Sequence, residues 1–155
     1  MTQTGKPATV EQRLQTLRIL CITFLANIGV FALFGYLTAR SRETEEDAAT
    51  GFSNLLLLFF AAGVASLAAS FVVRRVLQSK AEREQNPALV QQALIIALVM
   101  CEVGALLGLI GLLIEGNPYA YALFVLAAVG DLLHFPRREQ LLAASYKTAD
   151  RNAAA

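Results

Sequence analysis

The stretch Leu89 to Ile114, LVQQALIIALVMCEVGALLGLIGLLI, decides the fold. It holds a single charge, Glu102, and exceeds the about 20 apolar residues that carry a helix across a hydrocarbon core of roughly 30 Å. Working outward, Ile19 to Thr38 and Asn54 to Val73 have the same character, and Tyr119 to Phe135 is a shorter apolar run. Lipid offers no water to unpaired backbone N–H and C=O groups, so each run is expected to satisfy them internally as an α-helix. The chain therefore reads as an all-α membrane protein with four transmembrane helices, at about 19–38, 54–73, 89–114 and 119–135. They form one transmembrane domain, 18–135, between polar tails 1–17 and 136–155.

Composition supports the membrane class, with 56% hydrophobic against 16% charged residues. A formal net charge of +1 gives no basic excess for nucleic acid. Cys21 and Cys101 sit inside apolar runs, where they act as small apolar side chains and not as a disulfide framework. With no Trp, any aromatic belt falls to Tyr36, Tyr119, Tyr121 and Phe residues near the segment ends. The first apolar run is too long for a signal-peptide core and lacks a small-residue cleavage pattern at Thr38-Ala39-Arg40-Ser41, so it reads as a retained helix.

Loop charges set the expected orientation. Lys6, Arg13, Arg18, Arg74, Arg75, Lys80, Arg83, Arg137, Arg138, Lys147 and Arg151 fall on one side, against Arg40 and Arg42 on the other. Positive charge stays on the cytoplasmic face, which places both termini there and the protein in the cell (inner) membrane as a multi-pass chain. The other side carries Glu43, Glu45, Glu46 and Asp47, read as a solvated loop, and Glu115 in the short connection Glu115-Gly116-Asn117-Pro118. Asn86-Pro87 breaks the second connection and restarts a helix, since Pro is tolerated in a first turn. Segments two and three thus form a helical hairpin with a basic loop. Phe135-Pro136-Arg137-Arg138 stops segment four at the interface, and the Ala-rich tail after Tyr146 is expected to be disordered.

Along segment three, Ala97, Cys101, Gly104, Gly108 and Gly111 recur at spacings of four and three, a narrow stripe of small side chains where another helix can approach closely. Ala62, Ser66 and Ala69 repeat that spacing in segment two and supply the expected partner stripe. Glu102 lies near the middle of segment three, where a charged carboxylate costs at least about 2.5 kcal/mol. It is a protonatable mid-membrane group, pointing about 140° away from Ala97 at 100° per residue and so flanking the stripe.

This hairpin resembles subunit c of the rotary ATP synthases over about residues 51–115. The resemblance runs through Ala81-Glu82-Arg83-Glu84-Gln85-Asn86-Pro87-Ala88-Leu89, like that family's polar loop, and through Ile95-Ile96-Ala97-Leu98-Val99-Met100-Cys101-Glu102. It continues in Leu107-Gly108-Leu109-Ile110-Gly111-Leu112-Leu113, like the Gly-containing run after the family's ion-carrying carboxylate. It implies that Glu102 is the proton-binding residue and Arg83 to Pro87 the cytoplasmic loop. Against the family pattern, segment two keeps only Gly63, and segments one and four are additional. The chain end at His134-Phe135-Pro136-Arg137-Arg138 also resembles small bacterial membrane proteins without an assigned function.

Two readings stand for each remaining polar residue. Asn27 serves as interhelical packing or as part of an ion site. Asp131 and His134, three apart on one helical face, either relay a proton as an interfacial pair or snorkel toward Arg137 and Arg138. No phosphate-cradling loop, metal-ligand pair or Ser with a base is present, so no catalytic residue, metal or cofactor is expected. The expected partners are the lipid bilayer and either further copies of the chain or other membrane subunits. The leading expectation is an oligomeric membrane protein with proton binding or translocation at Glu102. The alternative is a structural or assembly subunit that transports no ions, and a small-solute transporter has only Glu102 and Asn27 in its favour.

Overall fold

The computed structural model describes residues 10–42 and 53–143. The acidic cluster Glu43, Glu45, Glu46 and Asp47, and Lys6, Lys147 and Arg151, lie outside the described residues. The chain forms α1 (Val10–Arg42), α2 (Asn54–Glu84), α3 (Pro87–Glu115), a 3-10 turn (Pro118–Ala120), α4 (Tyr121–Leu133) and α5 (Arg138–Ala143). Helices α1, α2 and α3 are each long and apolar enough to cross a membrane, whereas α4 with its leading turn is apolar but shorter. The protein is therefore all-helical in its described residues and multi-pass.

Caps set the helix ends. The Leu56 backbone N–H donates to Ser53 Oγ at 2.9 Å, which starts α2. Gln85 closes α2 in the left-handed region at φ 51°. Asn86 then accepts from the Ala88 N–H at 3.0 Å with Pro87 as the first residue of α3, so a two-residue turn joins the hairpin. Pro loses nothing there, because the first-turn N–H has no intrahelical partner. Gly116, at φ 63°, ends α3. Asn117 is fully buried and accepts from the Tyr119 N–H at 3.0 Å, which sends the chain into α4.

Helix α3 is the centre of the bundle and packs against α1, α2, α4 and α5. At one end Leu14 and Leu17 of α1, Ala81 of α2, Val90 and Leu94 of α3 and Leu141 of α5 form one apolar cluster. In the middle, Ile28 of α1, Ala105 of α3 and Phe124 and Ala127 of α4 form a second. At the other end Leu56, Leu112 and Ala120 form a third. Successive long helices therefore run antiparallel. The end holding Leu14, Ala81 and Leu141 carries Arg13, Arg18, Lys80, Arg83 and Arg138.

Two helices exceed their expected spans. Helix α1 begins at Val10, and α2 continues past Val73 to Glu84. At about 1.5 Å per residue, these extensions add roughly 13 and 16 Å beyond the apolar segments. Hydropathy marks where lipid ends, not where a helix ends. Here the helices persist because Leu14, Leu17 and Ala81 bury themselves against Leu141, and Lys80 pairs with Glu84 at 3.7 Å one turn on. The expected polar tails thus contribute eight residues to α1 and the whole of α5.

Candidate functional site

The two deep polar residues singled out by sequence meet each other. Asn27 Nδ2 donates to Glu102 Oε1 at 2.6 Å, tying α1 to α3. Both residues are half-buried, at the margin between the bundle and its outer surface. Carboxamide to carboxyl pairing suits this position, because the Glu carbonyl-type oxygen accepts whether or not the other oxygen carries a proton.

All five small residues of α3 (Ala97, Cys101, Gly104, Gly108 and Gly111) are buried. Their neighbours come from more than one helix. A Cβ on Gly108 would stand 3.0 Å from Leu123 Cβ and 3.1 Å from the Ala120 carbonyl oxygen, so α4 occupies this part of the stripe. Gly111 faces Leu56 and Phe59 of α2 as well as Ala120. On α2 the register differs from the expected stripe. Ala62 is exposed, Ser66 and Ala69 are half-buried, and the buried line is Leu56, Gly63, Ser70, Arg74 and Ala81. Steps of seven and four keep one seam facing a partner helix with left-handed supercoiling. Ala62, Ser66 and Ala69 keep the same period but sit one residue, about 100° of helix, behind that seam at Gly63 and Ser70. Ser66 still contributes, its Oγ donating to the Met100 carbonyl oxygen at 2.8 Å.

Asp131 and His134 are both buried, at 2% and 0% exposure, and their side chains do not pair. Both ring nitrogens of His134 are already engaged. Arg74 Nη1 lies 3.0 Å from Nδ1, and Ser70 Oγ lies 2.8 Å from Nε2. A guanidinium only donates, so Nδ1 accepts. The ring is then neutral with its proton on Nε2, which donates to Ser70 Oγ, and the Ser70 hydroxyl donates to the Leu67 carbonyl oxygen at 2.6 Å. Arg74 completes the chain by donating from Nη2 to Gln140 Oε1 at 3.1 Å. Phe71 packs against the His134 ring with centroids 4.4 Å apart and planes tilted by 42°. Both oxygens of Asp131 are buried with no nitrogen or oxygen partner among the described residues, and the weakly donating Cys101 thiol lies beside them. Beside Asp131 and Cys21 lies a cavity of about 20 Å³, enough for about one water, walled by Ile22, Leu25, Leu132 and Phe135.

A larger cavity of about 340 Å³ opens at the basic end between α2, the end of α4 and α5. Arg74, Arg75, Arg137 and His134 line it together with Phe71 and Leu133. At the opposite end, the Ser53 hydroxyl lies 2.5 and 2.6 Å from the two Glu115 oxygens, so the carboxylate expected in a solvated connection is tied to the start of α2. No group of three or more His, Cys, Asp or Glu side chains among the described residues could hold a metal ion.

Sequence reasoning treated Arg74 only as a topology signal and did not single out Ser70 or Gln140. Ser70 and Arg74 are one turn apart on α2, which hints at a shared face. Their meeting with His134 is a long-range contact that periodicity does not carry. Comparison with protein-family models, with curated proteins and with solved structures finds no match to this chain.

Proposed function

We propose that this chain is a non-enzymatic subunit of a membrane assembly, crossing the cell (inner) membrane four times with both termini cytoplasmic, and that Glu102 holds its helices together instead of carrying ions. The observation that carries this reading is the 2.6 Å bond from Asn27 Nδ2 to Glu102 Oε1. It engages the mid-membrane carboxyl of α3 with a helix that a two-helix hairpin does not possess. The outer faces of α1 and α2 add support. Ile22, Val30 and Leu33 on α1 and Leu57, Leu58 and Val72 on α2 are well exposed, a surface for lipid or for neighbouring subunits.

A second reading, proton binding in a subunit c-like hairpin, has one observation in its favour. Glu102 is half-buried and not sealed, so its carboxyl is reachable from the membrane-facing side. Carbodiimide labelling of the purified protein across pH, read by mass spectrometry beside thermal unfolding of Glu102→Gln and Glu102→Leu, separates the two. An interhelical tie predicts little labelling at Glu102, near wild-type stability for Gln, which keeps the accepting oxygen, and a loss of about 1–2 kcal/mol for Leu. Selective labelling at Glu102 that fades as pH rises, with both variants stable, overturns the tie in favour of a proton site.

A further inference from the structure

The cavity of about 340 Å³ at the basic end has two unlike walls. One is cationic, formed by Arg74, Arg75 and Arg137, and no carboxylate is among the described residues that line it. The other is apolar, formed by Phe71, Leu133 and Phe135, which are 40%, 61% and 40% exposed. Depth in the bilayer follows from sequence. Arg74 comes directly after Val73, the last residue of the second apolar run, and His134 closes α4 at the same level through its contact with Arg74. The cationic wall therefore stands at the headgroup layer and the apolar wall borders the acyl chains.

Arg74 is 8% exposed and is held in place by His134 and Gln140. A guanidinium has five N–H donors in a fixed fork, so these two bonds leave others to point into the cavity. Arg75 and Arg137 are exposed and make no ion pair among the described residues. Arg137 acts on Arg74 as a like charge. Three cations facing one space repel each other, and an anion between them relieves that repulsion. Neutral His134 keeps Arg74 oriented without adding a fourth charge.

We propose that this cavity binds an anionic phospholipid, its phosphate held by Arg74, Arg75 and Arg137 and its acyl chains lying along Phe71, Leu133 and Phe135. Basic pockets between helices at the cytoplasmic surface suit such headgroups. Inorganic phosphate shares the charge but leaves the apolar wall unused. The site depends on the membrane embedding of the helices and not on the role given to Glu102.

The test is lipid retention by the full chain in detergent, with phosphatidylglycerol and phosphatidylcholine supplied in equal amounts and bound lipid counted by native mass spectrometry. Wild type retains phosphatidylglycerol over phosphatidylcholine. Each exposed arginine contributes about fivefold, so Arg75→Gln with Arg137→Gln lowers the affinity for phosphatidylglycerol roughly twenty-five-fold. Both side chains are exposed, so the fold survives the change. Arg40→Gln, an exposed cation at the other end, and Glu102→Gln leave retention unchanged. Equal retention of the two lipids, retention untouched by the double variant, or an equal loss from Arg40→Gln overturns the proposal. Displacement of the lipid by equimolar inorganic phosphate overturns it in favour of a small-anion site.

Discussion

Asp131 and His134 share a turn of helix yet meet opposite fates. His134 has a partner for each ring nitrogen, whereas both Asp131 oxygens are buried with no nitrogen or oxygen partner among the described residues, only the weakly donating Cys101 thiol beside them. A buried polar group left unpaired costs about 1–3 kcal/mol, and removing it altogether recovers that cost when the replacement fits. Asp131→Val is therefore expected to stabilise the protein by about 1–3 kcal/mol, with the cavity beside Cys21 giving the branched side chain room. Thermal unfolding in detergent checks this, and a lower melting temperature for the variant would mean that Asp131 has a partner in the membrane. His134→Ala is expected to act in the other direction. It removes the acceptor of Arg74 Nη1 and the donor to Ser70 Oγ, leaving them only their bonds to Gln140 and the Leu67 carbonyl, a loss of about 2–4 kcal/mol.

At the scale of elements, two glycines separate helix propensity from packing. A Cβ on Gly29 meets nothing within 4 Å, whereas one on Gly130 would stand 2.5 Å from Leu67 Cδ1 and 2.8 Å from Cys101 Sγ. Gly29→Ala is expected to gain about 0.5–1 kcal/mol from reduced backbone freedom in the unfolded chain. Gly130→Ala is expected to lose about 1–3 kcal/mol as α4 is pushed off α2 and α3. Unfolding measurements on the two variants should move in opposite directions. The same contrast shows what was legible in the sequence. The three long spans were readable from hydropathy, and the turn at Asn86-Pro87 from its cap chemistry, because both are local. The small stripe of α3 was readable from spacing, but its occupant was not. Gly108 looks the same in sequence whether α2 or α4 lies against it, and only the fold assigns it to Leu123. The Asn27–Glu102 bond was hidden for the same reason, since periodicity names the faces and not the pairs.

For the whole molecule, the antiparallel order of the long helices puts Lys80 and Tyr119 at opposite ends. Both native thiols are buried, Cys21 at 3% and Cys101 at 2% exposure, so a membrane-impermeant maleimide should leave the wild-type protein unlabelled in sealed vesicles. Lys80→Cys and Tyr119→Cys are then expected to label from opposite faces, with Lys80→Cys reacting from the cytoplasmic one as the loop charges dictate. Labelling of both from one face would overturn the topology.

Helix α4 with its leading turn runs only from Pro118 to Leu133, about 25 Å, beside neighbours that exceed the roughly 30 Å hydrocarbon core. Buried Asn117 anchors its start and Pro136 follows its end, so the run cannot lengthen to match them. On the proposed four-span topology, the bilayer pinches on the α4 flank while keeping its full thickness along α1 and α2. This hydrophobic mismatch gives the protein a short side and a tall side, and membrane neighbours with brief apolar spans would gather on the short one.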